Sequence, residues 1–348
     1  MRVRHHGSRV LTVEERRGSD FTTFSEPQGA RVPDKQIRMT RSRLADAARP
    51  RPVMLAVGGD SASGKTTLAT GLVDAIGPDR CTAICVDDYH RFDRAERTEL
   101  PFTPLHPDCN YVDIMEQHLQ MLATGQPILK PVYDHSTGTF TRPRYVEPRQ
   151  FVIIEGLLPL FTKLSRACFD ISVFLDPPEE IRRQWKIKRD TSKRGYTAAQ
   201  VEADLERREP ESAEFIRPQR RHADIVVRFA PVPSRNDPPG TPLSAELLLR
   251  PTIQHPPLSH ILTDDHRTAM HLKIIRDNDG TPVDCLHVHG HANHDEIQLL
   301  QKEIWAGVAD KREMPEGLGS VGPGERSEPL AMTQLLLLYH LMQEVYQA

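Results

Sequence analysis

The sequence lacks any apolar run long enough to cross a bilayer. Its longest, Leu335-Leu336-Leu337-Leu338 with its neighbours, falls far short of the roughly 20 consecutive apolar residues that a spanning helix needs. No apolar core of a secretory leader follows the N-terminus, so the expectation is a cytoplasmic protein that does not act at a membrane. Cysteine is scarce and unpatterned. Cys81, Cys85, Cys109, Cys168 and Cys285 are odd in number and lack C-x-x-C spacing, which argues against a disulfide framework or a zinc site and makes reduced thiols the default. Cys81 and Cys85, on one face of a strand, would stand about 13 Å apart, beyond the ~7 Å Cα limit of a disulfide. A charge surplus is also missing. With 45 basic and 48 acidic residues the net charge is −3, which argues against generic nucleic-acid binding. No internal repeat is visible.

What is present points to a globular protein. The 348 residues, 38% hydrophobic and 27% charged, suffice for one large or two modest domains. Residues 1–50 show no apolar periodicity and carry roughly twice as many Arg and Lys as acids, which reads as a disordered, solvated basic tail. Its six acidic residues argue against a transit peptide. A chain started at Met39 would begin only about a dozen residues before the first strand.

From residue 51 to 230 short apolar segments alternate with helical patterns: strands at Val53–Val57, Thr82–Val86, Phe151–Ile154, Ile171–Leu175 and Ile225–Phe229, helices at 66–76, 112–124, 178–194 and 197–207. This alternation predicts an α/β domain, a mainly parallel sheet with helices on both faces and a ligand at the carboxyl ends of the strands. Residues 231–243, rich in Pro, read as a linker. Residues 244–348 predict a smaller α+β segment, with strands at Glu246–Leu249, His271–Ile275 and Val283–His289 and helices at Asp295–Ala306 and Pro329–Val345. That segment either extends the sheet or builds a homodimer interface. The histidines His287, His289, His291 and His294 are read as surface or interface residues, because no carboxylate or cysteine completes an obvious ligand set around them.

The chemistry begins between the first strand and helix. Gly59, Asp60, Ser61, Ala62, Ser63, Gly64, Lys65, Thr66 and Thr67 form a P-loop, as in P-loop NTPases. Its glycines let backbone N–H groups turn around phosphates, the helix N-terminus adds partial positive charge, Lys65 reaches the terminal phosphates, and the Thr66 hydroxyl can ligate Mg²⁺. A nucleoside triphosphate is the expected ligand. After the second strand, Asp87-Asp88-Tyr89-His90 leads to Arg94. A hydroxyl that attacks a phosphoryl group needs a base, for which Asp87 is the candidate, and His90 and Arg94 together could grip a second phosphate. Glu155, ending an apolar strand, is placed to hold Mg²⁺ directly or through water. Lys186, Arg189, Asp190 and Arg194 recur at helical spacing, which suggests a cationic lid over the phosphates.

Asp87-Asp88-Tyr89-His90, Asn110-Tyr111, the run from Lys130 to Gly138, Ile154-Glu155-Gly156-Leu157-Leu158-Pro159-Leu160, Trp185-Lys186-Ile187-Lys188-Arg189-Asp190 and Ala223-Asp224-Ile225-Val226-Val227 together resemble phosphoribulokinase of the plant and cyanobacterial type, over about residues 52–230. The resemblance implies ATP-dependent phosphorylation of ribulose 5-phosphate to ribulose 1,5-bisphosphate, with Mg²⁺. It implies Asp87 as catalytic base, Lys65 and Asp190 as further catalytic groups, and His90 and Arg94 as sugar-phosphate contacts. It further places Tyr133 and His135 near the pentose, Lys186, Arg189 and Arg194 in the lid, and Thr66 and Glu155 on the metal. A dimer is implied too, and association with a glyceraldehyde-phosphate dehydrogenase complex is suggested for photosynthetic organisms. One departure stands out. Redox-regulated plant enzymes carry a cysteine at the position of Ser63 and pair it with one matching Cys85, so that pairing is not expected here. A uridine or pantothenate kinase shares the P-loop and lid, and a silent nucleotide-binding subunit is the remaining alternative.

Overall fold

The computed structural model describes residues 51–232, 241–262, 268–308, 313–322 and 324–347, so the expected basic tail and most of the expected linker lie outside the described residues. An eight-stranded sheet organises the rest, in the order β2 (Cys81–Cys85), β5 (Phe151–Gly156), β1 (Val53–Gly59), β6 (Ile171–Leu175), β7 (Ile225–Ala230), β8 (Ser244–Leu249), β10 (Pro282–Val288) and β9 (Met270–Arg276). The first five run parallel and the last three are antiparallel. The strands after residue 243 therefore continue the same sheet.

The parallel strands are apolar throughout because both faces are covered. Val53, Leu55 and Val57 of β1 pack on one side with Leu68 and Leu72 of α1 (Lys65–Ile76), while Met54 and Ala56 point to the other, with Leu119 and Leu122 of α2 (Val112–Ala123). The first side also receives α7 (His294–Ala306) and α8 (Glu328–Gln347). Leu335, Leu336, Leu337 and Leu338 are all fully buried, as a helix covered all round requires. α8 crosses α1 closely at Gly71. A Cβ there would fall 2.0 Å from Gln334 Nε2, and Gln334 Oε1 accepts a hydrogen bond from the Gly319 N–H at 2.7 Å.

Two features depart from the expected pattern. β3 (Ile128–Asp134) and β4 (Thr139–Val146) form a separate antiparallel hairpin. Nearly every β4 side chain is exposed, so no alternation of apolar and polar residues marks the strand. α3 (Lys163–Ala167) and α4 (Glu179–Lys193) precede α5 (Ala198–Glu211), which runs through Pro210 into a π-helical turn, Ser212–Ile216, where proline would ordinarily signal an earlier stop. The one-turn α6 (Leu258–Ile261) lies between β8 and β9.

His287 and His289 cluster with His271 of β9, ring centroids 4.6–5.2 Å apart. A carboxylate does stand beside them, since Glu246 Oε1 lies 3.6 Å from His287 Nδ1. His291 is exposed, and His294 Nδ1 pairs with Glu328 at 2.7 Å.

Candidate active site

β1 ends where its backbone must turn sharply. Gly59 leaves no room for a side chain, since a Cβ would lie 2.6 Å from Ser63 Oγ and 2.8 Å from the Leu175 carbonyl. Ala62 takes a positive φ of 63° and Gly64 one of 97°, so the loop curls before α1 starts at Lys65. The first backbone N–H groups of a helix lack partners within it. Those of α1 therefore face the concavity a phosphate would fill. Lys65 folds back across the loop, its Nζ 2.7 Å from the Asp60 carbonyl. Burial lowers the Lys65 pKa even though Glu155, Asp87 and Asp60 pull the other way. Thr66 and Thr67 stand exposed in the first turn of α1.

Asp60 turns its side chain inward. Its Oδ1 accepts from the Ser61 N–H at 2.6 Å, its carboxylate faces Arg182 Nη1 at 3.4 Å, and Oδ2 accepts from the Ser212 hydroxyl. Arg182 also reaches the Ser61 carbonyl at 3.2 Å. Asp60 thus ties the loop to the root of the α4–α5 hairpin. Ser63 Oγ is buried with no hydrogen-bond partner among the described residues.

Sheet register brings the acids to the same level. Glu155 pairs with Val57 of β1 and with Cys85 of β2, and its Oε1 accepts from the Thr66 hydroxyl at 3.1 Å. Burial, and then Asp87, push the Glu155 carboxyl above its ordinary pKa despite Lys65. Asp87 follows β2 in a 3₁₀ turn, Val86–Tyr89. Burial pushes its pKa up, but the neighbouring His90, His135, Lys65 and Arg194 outweigh this and hold the carboxyl below its ordinary range. His135 Nε2 is 3.6 Å from Asp87 Oδ2. Asp87 is therefore ionised at neutral pH and able to take a proton.

Asp88 does something different. It accepts from Lys130 Nζ and from the Tyr133 N–H at 2.9 Å, pinning the β3–β4 hairpin to the turn after β2. His90 is buried, its Nδ1 2.8 Å from Asn110 Oδ1 and its ring edge-on to Tyr133 at 5.1 Å. Burial lowers its pKa and leaves it neutral at pH 7. Tyr133 in turn meets His135 edge-on at 5.1 Å. Arg94 is exposed, donates to the His135 carbonyl and lies over Gly138, where a Cβ would come within 2.7 Å of it. Arg97 completes this group. Its guanidinium sits 4.9 Å from the Tyr133 ring centroid and donates to the Tyr133 hydroxyl.

In the α4–α5 hairpin the basic residues converge on Asp190, which contacts Lys186 at 3.0 Å, Arg189 at 2.8 Å and Arg194 at 3.4 Å. Lys186 is 3% exposed and also reaches Asp204 of α5 at 3.0 Å. Its charge is engaged inside the hairpin, clamping α4 to α5, rather than directed at the loop. The charge of Arg194 also helps to hold the Asp87 carboxyl below its ordinary range.

The structure thus gathers Lys65, Thr66, Asp87 and Glu155 at the strand ends, with His90, Arg94, Tyr133 and His135 beside them. A phosphate-binding loop, an ionised carboxylate and a rim of cations can together transfer a phosphoryl group to a hydroxyl. Arg97, Asn110, Lys130 and Arg182 were given no role by the sequence. Asn110 and Lys130 lie within the strings quoted above, whereas Arg97 and Arg182 lie outside them and carry no local signal.

A family model described as "Phosphoribulokinase / Uridine kinase family" matches residues 54–234. A curated phosphoribulokinase of Synechocystis sp. is 41% identical over 181 residues, covering 52% of this chain and 54% of its own. The chloroplastic phosphoribulokinase of Triticum aestivum is 31% identical over 234 residues, covering 62% and 57%. A uridine kinase of Chloroflexus aggregans is 32% identical over 183 residues, covering 50% of this chain and 86% of its own. The chain thus spans little more than half the length of the two phosphoribulokinases it matches. Among solved structures, a phosphoribulokinase from Rhodobacter spheroides superposes with a TM-score of 0.55 at 18% identity, covering 74% of this chain and 96% of that one. That likeness supports the fold.

Proposed function

The chain belongs to the phosphoribulokinase and uridine kinase family, and from that premise we propose that it transfers the γ-phosphoryl group of ATP to the C1 hydroxyl of D-ribulose 5-phosphate. The product is D-ribulose 1,5-bisphosphate. The observation that carries this reading is the group formed by His90, Arg94, Arg97, Tyr133 and His135, cationic and aromatic, set beside the ionised Asp87. An acceptor that already bears a phosphate suits such a rim. A neutral nucleoside gives its arginines nothing to pair with.

In this mechanism the loop N–H groups and Lys65 hold the ATP phosphates. Asp87 accepts the proton of the attacking hydroxyl, and Arg94 and His90 fix the acceptor's phosphate so that the hydroxyl points along the line of transfer. Arg194 and Arg189 balance charge that spreads onto the moving group, with Asp190 orienting them. Glu155 and the Thr66 hydroxyl offer hard oxygen donors, and the Asp87 carboxylate adds a second negative charge beside Glu155. Both features fit Mg²⁺. When bound there, Mg²⁺ would neutralise phosphate charge. Two copies of the chain acting as a homodimer, and a cytoplasmic location, complete the proposal; no helix among the described residues is long and apolar enough to cross a membrane.

The experiment is ATP-dependent turnover by the purified full chain with Mg²⁺, offering ribulose 5-phosphate, uridine and pantothenate separately. Product from ribulose 5-phosphate alone is expected. Turnover of uridine would overturn the acceptor assignment and leave the P-loop reading standing.

A further inference from the structure

Cys85 has no part in the chemistry proposed above, yet it stands at the centre of it. It is the last residue of β2, two positions before Asp87, and His135 approaches both from the turn between β3 and β4. One donor atom from each, the thiol sulfur, a carboxylate oxygen and an imidazole nitrogen, all lie within 4.8 Å of one another. Among the described residues no other three His, Cys, Asp or Glu side chains converge this closely.

We propose that Cys85, Asp87 and His135 form a binding site for a soft divalent cation of the Zn²⁺ type, and that its occupancy switches the phosphoryl-transfer site off. Zn²⁺ bonds of about 2.3 Å to sulfur and about 2.0–2.2 Å to nitrogen and oxygen set neighbouring donors of a tetrahedron roughly 3.3–3.6 Å apart. The His135 and Asp87 atoms already stand 3.6 Å apart. A movement of about 1 Å by the thiol or the exposed imidazole completes a three-ligand site with its fourth position open.

As a metal–sulfur bond forms, the bound metal drives the thiol proton off to the buffer. Ligand type sorts the two metals. Mg²⁺ takes oxygen and leaves the thiol alone, whereas Zn²⁺ takes thiolate and imidazole. With its lone pair on the soft ion, Asp87 can no longer accept the acceptor's proton. This last consequence rests on the function proposed above; the binding site does not.

Co²⁺ tests the site directly, because thiolate ligation gives it a charge-transfer band in the near ultraviolet and tetrahedral coordination gives it visible bands. The full chain, held with excess Mg²⁺, is titrated with Co²⁺ and then with Zn²⁺, alongside Cys85→Ser and His135→Asn. Expected are one Co²⁺ per chain with a thiolate band, displacement by Zn²⁺, and loss of the band in Cys85→Ser. In parallel, Zn²⁺ should inhibit turnover of the wild type, while Cys85→Ser keeps its basal turnover and needs at least about tenfold more Zn²⁺ for the same inhibition. No band in the wild type, or the same band and inhibition in Cys85→Ser, would overturn the proposal. A band lost in Cys85→Ser with no inhibition in the wild type upholds the metal site and overturns its role as a switch.

Discussion

Asp190→Asn measures how firmly charge holds the α4–α5 hairpin together. The Asp190 side chain is buried among Lys186, Arg189 and Arg194. Burial by itself would raise its pKa, but hydrogen bonds and charge from Arg189 and then Lys186 prevail and hold it at about 2. Against an unfolded value of about 3.9, the difference corresponds to roughly 2–3 kcal/mol of native stability at neutral pH. Because the folded-state pKa is the lower one, that contribution is complete above the unfolded value and fades as pH falls toward about 2. Asparagine keeps the shape and removes the charge. Urea unfolding of the full chain and the variant should therefore differ by roughly 2–3 kcal/mol at neutral pH, narrowing to about half of that near pH 3. An equal gap at both pH values would refute the ionic account and assign the loss to packing.

Three further outcomes follow from the geometry. Asp87→Asn should lower kcat by at least about 10²-fold while leaving ATP affinity nearly unchanged, measured by steady-state kinetics and nucleotide titration, and near-normal turnover would rule out the base. Arg94→Ala and Arg97→Ala should act mainly on the KM for the sugar phosphate; an effect confined to the KM for ATP would contradict their placement beside Tyr133 and His135. Gly71→Ala would gain up to about 1 kcal/mol in an exposed helix, but here its Cβ meets the buried Gln334 amide. We expect a net loss of about 1–3 kcal/mol by thermal or urea unfolding, and a gain would mean that α8 yields easily.

Much of the sheet was legible because its parallel strands are short continuous apolar runs that alternate with helical patterns. The β3–β4 hairpin was not, since β4 buries no face and a strand with no buried face leaves no pattern. Asp87 and Asp88 are adjacent acids in one string, and only the fold separates them, turning Asp88 onto Lys130 and Asp87 into the cleft. Lys186 shows the opposite limit. Helical spacing correctly groups it with Asp190, yet the partner that engages it, Asp204, comes from the next helix, which spacing along one helix cannot reveal. Arg97 was invisible for a similar reason, because its neighbour Tyr133 is 36 positions away in sequence.

The seam between β7 and β8 has a practical meaning. The family match ends near this point, at residue 234, but the hydrogen bonding does not, because β8 continues the sheet along the whole of β7. Beyond the seam, α8 seals the apolar side of the very helix that begins at Lys65. A gene cut between the codons for residues 232 and 241 would thus separate β7 from β8 and α1 from α8. Expressed together, the two halves should reassemble without a covalent link, making this seam a natural place for a split-enzyme reporter.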